Sequence, residues 1–160
     1  MTEDVSDPQR IFEALDAHGV EYVVVGGLAV QVHGHVRMTN DLGLIPAPNR
    51  ENMRRLADAL NQLRARVLNK GDEGTPIDAR MLPRATFWQF ATTAGDIDVL
   101  HDAPGAAPFK QLRARSRSRS GIYASRSPGP DDLISMKRAS GRPVDLGDVA
   151  ALTEPDEPNR

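Results

Sequence analysis

The chain has 160 residues, of which 39% are hydrophobic and 26% charged, with a formal net charge of −2. A domain of this size can bury a core, and its overall charge excludes binding to nucleic acid without a local basic patch. The absence of cysteine excludes disulfides, thiolate zinc sites and thiol nucleophiles. The N-terminus is polar and no apolar run approaches a membrane span, so we expect no signal peptide, no membrane segment and a cytoplasmic location.

The first half of the chain predicts alternating helices and strands. Asp7-Pro8 is typical of a helix start, and Gly19 is expected to end that helix. The further elements expected here are a buried strand over Tyr22–Val25, one or two helical turns over Leu28–Val32, a strand over Asp41–Ile45, and a long helix capped by Asn49 that carries an apolar stripe (Met53, Leu56, Ala57, Leu60 and Leu63).

The second half predicts a hairpin followed by helices. Its expected elements are strands over 85–93 and 97–100, a loop over 102–108, a helix from Phe109, a weak strand over 122–124, a helix from Pro130, and a last helix capped by Asp145 that runs through Leu152. Interleaved elements of this kind predict an α/β (α+β) fold, a small mixed β-sheet flanked by helices, in a single domain over residues 1–152. Residues 153–160 form a polar tail, and Phe87 and Trp88 are expected in the core.

A glycine pair and an aspartate form the first candidate site. Gly26 and Gly27 follow the first strand and precede a short helix, where a ligand phosphate can approach the backbone and the free N–H groups of the helix. The alternative is a tight turn that binds nothing. Asp41 begins the next strand, where a carboxylate is costly unless it is exposed, capped or bound to something, although residues 39–41 also suit a simple turn.

This arrangement, a glycine pair followed by R-x-T-x-D at Arg37, Thr39 and Asp41, resembles the signature of the nucleotidyltransferase superfamily. It is most similar to the AbiEii-like and MenT-like branch of bacterial toxin–antitoxin nucleotidyltransferases. The resemblance spans roughly residues 20–152 and implies a polymerase β-like fold. It also implies that the glycines, Arg37 and Thr39 bind the nucleotide, and that Asp41 holds Mg²⁺ or Mn²⁺.

The chain departs from the family pattern at Gly43, where the family has the second aspartate of an Asp-x-Asp pair. Residues i and i+2 of a strand share a face, so two carboxylates there can hold the metal ions that bind a triphosphate. With glycine at this position one carboxylate of three is missing. We therefore expect very slow nucleotide transfer or none, and a large gain in activity from Gly43→Asp.

The sequence GDIDVL supplies the second candidate site. Asp98 lies within an apolar strand, and the resemblance places it at the third family carboxylate, a metal ligand. We expect it to approach Asp41 across adjacent strands. Asp96 is either a turn residue after Gly95 or a partial replacement for the missing metal ligand.

The segment LISMKRASGRPVDLGDVAAL resembles the C-terminal part of the same family. There the resemblance implies that Lys137 and Arg142 contact nucleotide phosphates, the lysine as a point charge and the arginine as a fork. Lys137 is expected to point into the same cleft, the alternative being a solvated helix face. Asp145 and Asp148 suit either site roles or structural ones, as the N-cap and a first-turn acid of the last helix.

A run of alternating arginines is a weaker signal for an RNA backbone, because such runs are usually solvated surface. These residues are Arg113, Arg115, Arg117 and Arg119.

The leading hypothesis is a nucleotidyltransferase that transfers a nucleotide from an NTP to an acceptor hydroxyl, as the toxin of a toxin–antitoxin pair. The resemblance implies a tRNA 3′ end as one possible acceptor and a cognate antitoxin protein as a partner. One alternative is a nucleotide- or RNA-binding module without catalysis. Another is an antitoxin-type minimal nucleotidyltransferase that modifies a partner protein.

Overall fold

The computed structural model of the protein describes residues 6–25, 41–68, 76–116 and 127–153. Its elements are α1 (Pro8–Ala17), β1 (Tyr22–Val25), β2 (Asp41–Pro46), α2 (Arg50–Gln62), β3 (Arg66–Val67), β4 (Phe87–Thr92), β5 (Gly95–Leu100), α3 (Phe109–Arg115), α4 (Pro130–Ser140) and α5 (Pro143–Thr153), with a 3₁₀ turn at Leu82–Arg84. The helical turns expected over 28–32 and the weak strand over 122–124 lie outside the described residues.

Local side chains begin the first two helices as the sequence predicts. The carboxylate of Asp7 accepts a hydrogen bond from the backbone N of Arg10 at 3.3 Å, and Pro8 is the first helical residue. The side chain of Asn49 accepts one from the backbone N of Asn52 at 2.8 Å. These bonds satisfy backbone donors that an α-helix leaves unpaired in its first turn.

The sheet is mixed and has the strand order β1-β2-β5-β4-β3. The β2–β5 pair is parallel and the other three pairs are antiparallel. This confirms the predicted fold class. The sequence did not indicate β3, because its two residues, Arg66 and Val67, are too few to show an alternating pattern.

The two faces of the sheet have different coverings. On one face the main core packs against α1 and α2, with buried members such as Leu15, Leu60, Leu44 and Ile97. On the other face a smaller core forms under α3 and α4 from Val23, Val25, Ile45 and Leu112, with Leu100 and Met136 at its margin. The second face is therefore the one on which a less apolar site can form.

The expectation for the two aromatic residues at the start of β4 is half right. Trp88 is buried, and its indole Nε1 donates to the carbonyl oxygen of Leu82 at 2.9 Å. Phe87 is 40% exposed, so its expected place in the core is wrong. Successive strand residues point to opposite faces, and because Trp88 and Phe90 face the main core, Phe87 does not.

No helix among the described residues is long and apolar enough to cross a membrane.

The loop between β5 and α3 is fastened to α4 at Gly105. This glycine has φ +75°, and a Cβ atom there would lie 2.6 Å from the carbonyl oxygen of Ser135 and 2.7 Å from Cβ of Ala139. The Ser135 hydroxyl donates to the Gly105 carbonyl at 2.8 Å. Both the left-handed backbone and the close approach of α4 require glycine.

We therefore expect Gly105→Ala to lower the free energy of unfolding by about 2–4 kcal/mol, through backbone strain and overlap with α4. Gly147→Ala is the matched control, since no atom lies within 4 Å of its added Cβ and Gly147 is inside helix α5. The control should gain up to about 1 kcal/mol from helix propensity. Urea unfolding measures both. If Gly105→Ala left the free energy of unfolding unchanged, the loop and α4 would not be in contact in solution.

Candidate functional site

The parallel pairing of β2 with β5 arranges the candidate carboxylate positions. Strand position 41 pairs with Asp96, and Gly43 pairs with Asp98. Because residues i and i+2 of a strand share a face, positions 41, 43, 96 and 98 all belong to the second face of the sheet. Asp41 and Asp98 are thus diagonal neighbours in the backbone register. The side chain of Asp41 lies outside the described part, so the approach of the two carboxylates stays a prediction.

Asp96 is a strand residue rather than a turn residue. The turn between β4 and β5 is at Thr93 and Ala94, and β5 begins at Gly95. Asp96 and Asp98 are both half-buried, whereas Ile97 between them is fully buried in the main core. The turn interpretation of Asp96 is therefore wrong, and the strand carries two carboxylates on one face.

Gly43 is closely packed. A Cβ atom built on it would lie 3.0 Å from Cγ2 of Val25 and 3.0 Å from the Val25 carbonyl oxygen. Val25 is the residue that pairs with Gly43 across β1 and β2. The first strand therefore closes over the position at which the family pattern has its second aspartate, and a side chain there would have to displace backbone as well as a methyl group.

The C-terminal helices contribute a buried cluster of charges. The ammonium of Lys137 is ion-paired with Asp148 at 3.0 Å and with Asp145 at 3.3 Å, and all three side chains are at least 93% buried. Lys137 is therefore not on a solvated helix face. α5 begins at Pro143, so Asp145 lies inside its first turn and the expectation that Asp145 caps this helix is wrong. Its carboxylate is turned inward to α4 instead.

Asp145 accepts hydrogen bonds from three residues. Arg142 donates from Nε at 2.7 Å and from Nη2 at 3.2 Å, Ser140 donates from its hydroxyl at 2.7 Å, and Lys137 donates from Nζ at 3.3 Å. Burial alone would raise the pKa of Asp145, but the bonds from Arg142, Ser140 and Lys137 outweigh it and hold that pKa well below its usual range. The carboxylate is therefore ionised at every physiological pH.

Arg142 is the exposed member of this cluster. Its side chain is 67% exposed, and the bond to Asp145 raises its pKa, with the charges of Asp145, Asp148 and Asp98 adding to the effect. Arg142 thus lies within electrostatic range of the strand carboxylate Asp98.

Several sequence-predicted site residues lie outside the described residues, namely Gly26, Gly27, Arg37 and Thr39. Of the alternating arginines, Arg113 and Arg115 are on α3, and Arg115 donates to the buried Asp132 at 2.9 Å. Arg117 and Arg119 also lie outside the described part. The basic stripe therefore stays a prediction.

The donor atoms on the second face suit a hard cation. Carboxylate oxygens are the ligands that Mg²⁺ and Mn²⁺ prefer. Among the described residues, no three histidine or acidic side chains come together as a metal-binding group. A set built on Asp98 and Asp96 therefore needs the carboxylate of Asp41 to be complete. The residues fit such an ion in their chemistry and in their register positions.

Sequence reasoning did not find two participants. Ser140 donates to Asp145, and Val25 fills the space over Gly43. The sequence of α5 did contain one signal for the cluster, since Asp145 and Asp148 are three residues apart and therefore share one face of a helix.

A cavity of about 250 Å³ lies at the other end of the same strands. Ile45, Pro46, His101 and Phe109 are among its lining residues. Burial lowers the pKa of His101, and a hydrogen bond to the backbone of Leu82 offsets part of this lowering. The cavity follows the last residues of β2 and β5, whereas positions 41 and 96 are at their beginnings, so the two features are separate.

Gly43→Ala tests the packing over the site. Alanine normally stabilises a strand relative to glycine. Here the contact of the new Cβ with the Val25 carbonyl should outweigh that gain and lower the free energy of unfolding by about 1 kcal/mol. The loss should be smaller in a Val25→Ala background, where the Cγ2 contact is gone. Chemical denaturation of the wild type, the two single variants and the double variant gives the coupling energy between positions 43 and 25. Identical losses in the two backgrounds would contradict the contact.

Asp145→Asn tests the buried cluster. It leaves Lys137 and Arg142 without their shared carboxylate, and should lower the free energy of unfolding by about 3 kcal/mol at pH 7. Because the pKa of Asp145 is lowered in the folded state, its contribution is complete above about pH 5 and decreases as the pH falls through the usual range of an aspartate towards the lowered folded-state pKa. The difference in the free energy of unfolding between the wild type and Asp145→Asn should therefore shrink as the pH falls from about 5 to about 2.

Asp78→Asn is the control, because the Asp78–Arg80 pair is on the surface. This substitution should change the free energy of unfolding little. A constant difference between wild type and Asp145→Asn over the whole pH range would contradict the lowered pKa.

The fold has counterparts among solved structures. The solution structure of the antibiotic-resistance factor ANT(2″)-Ia is 17% identical in sequence, with a TM-score of 0.57 over 91% of this chain and 80% of that chain. The crystal structure of ANT(2″)-Ia in complex with adenylyl-2″-tobramycin gives the same identity and TM-score, over 91% of this chain and 84% of that chain. No family profile and no curated protein matches the sequence. The likeness shows that the chain has a nucleotidyltransferase fold.

Proposed function

We propose that this protein binds an NTP and transfers its nucleotidyl group to an acceptor hydroxyl, at a rate limited by Gly43. The observation that carries the proposal is the β2–β5 register, which assigns strand positions 41, 43, 96 and 98 to one face. The exposed Arg142, which lies in range of Asp98, adds a cation suited to phosphate. The fold of the structural neighbours is consistent with this assignment.

In this proposal each residue has a distinct role. Gly26 and Gly27 cradle the triphosphate, and Arg37 and Thr39 bind beside it. Asp41 and Asp98, with Asp96, hold Mg²⁺ or Mn²⁺. Such an ion, when bound, neutralises charge on the phosphoryl oxygens and lowers the pKa of the attacking hydroxyl.

The reaction needs no protein nucleophile. The acceptor oxygen forms a bond to the α-phosphorus of the NTP, the bond from that phosphorus to the β-phosphate oxygen breaks, and pyrophosphate leaves. The hydroxyl proton passes to a carboxylate of the site or to solvent. Positioning and charge neutralisation by the residues named above are the whole contribution of the protein.

The sequence resemblance to the AbiEii-like and MenT-like branch supports a toxin of a toxin–antitoxin pair, with a tRNA 3′ end as acceptor and a cognate antitoxin protein as partner. The complex of ANT(2″)-Ia with adenylyl-2″-tobramycin supports a second acceptor class, a hydroxyl of a small aminoglycoside. The two acceptor classes can be separated by experiment.

The packing of Gly43 favours a second candidate, a nucleotide- or RNA-binding module without turnover. A Cβ atom at position 43 would lie 3.0 Å from Cγ2 and from the carbonyl oxygen of Val25, so Val25 must give way slightly to any side chain there. A protein that kept the fold and the phosphate-binding residues would still bind an NTP. Both candidate functions predict that the protein binds an NTP, but only the first predicts transfer of the nucleotidyl group.

Transfer of label from each α-labelled NTP, with Mg²⁺ or Mn²⁺, to total tRNA or to an aminoglycoside tests the proposal. We expect slow transfer by the wild type and none by Asp98→Asn. We expect Gly43→Asp to increase transfer at least about tenfold, since a contact made in the transition state is worth that much or more. Glu21→Gln serves as a control for loss of a carboxylate on the exposed surface.

Equal transfer by wild type and Asp98→Asn would exclude the assigned site. Equal and robust transfer by wild type and Gly43→Asp would show that position 43 is not a metal ligand position and would point to Asp96. Nucleotide binding with no transfer by either protein would support the binding module.

A further inference from the structure

The two cations of the C-terminal cluster differ in accessibility. The side chain of Lys137 is 7% exposed and is enclosed between Asp145 and Asp148. The side chain of Arg142 is 67% exposed, although Asp145, to which it is bound, is 1% exposed. A triphosphate arriving from solvent can therefore reach Arg142, whereas it cannot reach Lys137 in this arrangement.

Arg142 is held by one edge of its guanidinium. Nε and Nη2 donate to the two carboxylate oxygens of Asp145 at 2.7 and 3.2 Å. This two-point contact fixes the plane of the group and does not involve Nη1. A lysine at this position could not form the same fork. An arginine with a fixed plane loses less conformational entropy when it binds an anion.

Lys137 balances the charge under this contact. Two buried carboxylates, Asp145 and Asp148, would repel each other without a cation between them. Lys137 pairs with both, at 3.3 and 3.0 Å. Ser140 adds a hydrogen bond to Asp145 at 2.7 Å. The cluster thus keeps Asp145 ionised and in place at the short connection between α4 and α5.

We propose that Lys137 and Asp145 are positioning residues that act through Arg142, and that Arg142 is the group in this cluster that contacts the triphosphate. The inference rests on the proposed function and changes the role that the sequence resemblance implies for Lys137, from a direct phosphate contact to a support for the arginine. It predicts that the three residues act as one unit in nucleotide binding.

The test is a double-mutant cycle on the dissociation constants of each NTP and its nucleoside, measured by calorimetry with Mg²⁺. Arg142→Gln should weaken NTP binding about tenfold, the value of a charge-assisted hydrogen bond, and leave the nucleoside unchanged. Lys137→Met and Asp145→Asn should each weaken NTP binding, and their effects should vanish in the Arg142→Gln background. Arg138→Gln is the matched control, an exposed cation next to Lys137 on the same helix, and should have little effect.

Arg142→Lys keeps the test decisive if the buried variants do not fold, because position 142 is exposed. The proposal expects this variant to bind an NTP nearly as weakly as Arg142→Gln, since the fork on Asp145 is lost. Full rescue by lysine would overturn the proposal, as would additive effects of Lys137→Met and Arg142→Gln.

A spectroscopic measurement separates this inference from the proposed function. The Nε–H proton of Arg142 should give an NMR signal protected from solvent exchange in the wild type and in Arg138→Gln, and lose that protection in Asp145→Asn. Failure of the wild type to bind any NTP would overturn the proposed function and the phosphate contact together. NTP binding that is unchanged in Arg142→Gln would overturn the inference alone.

Discussion

The parallel pairing of β2 with β5 is the constraint on which the candidate site depends. It is the one parallel contact of the described sheet, and it sets position 41 beside Asp96 and Gly43 beside Asp98. A shift of β5 by one residue in this register would turn Asp96 and Asp98 to the main core, where an unpaired charge is very costly. Apolar residues on one side of each strand, such as Leu42 and Ile97, therefore also determine where the acidic residues face.

The contact between the two C-terminal helices is built on charge. Helices α4 and α5 meet around Lys137, Asp145 and Asp148, which are buried together, while Val144 and Leu146 of α5 face solvent. A buried ion-pair cluster is seldom the most stable way to join two helices, since well-packed apolar side chains often do as well or better. The value we propose for it is geometric, since the two hydrogen bonds from Arg142 to Asp145 fix the plane of the guanidinium.

The sequence predicted the fold well because its signals are local. The caps at Asp7 and Asn49, the apolar stripe of α2 and the short β-branched strand Tyr22–Val25 each involve a few neighbouring residues. The inward turn of Asp145 and the contact of Val25 with Gly43 were not predictable, since each depends on how distant segments pack. For Gly26 and Gly27 the sequence remains the whole argument, because they lie outside the described residues.

The separation of the paired residues has a kinetic consequence. Gly43 and Asp98 are neighbours in the sheet but are about 55 residues apart in the chain. Contacts of this kind form after local helices and hairpins, because closing a long loop costs chain entropy before any stabilising contact is made. The β4–β5 hairpin can form early, because its strands are close in the chain. The candidate site is assembled only once β2 has paired with β5. A chain emerging during synthesis would therefore carry no assembled site until most of its length is available to fold.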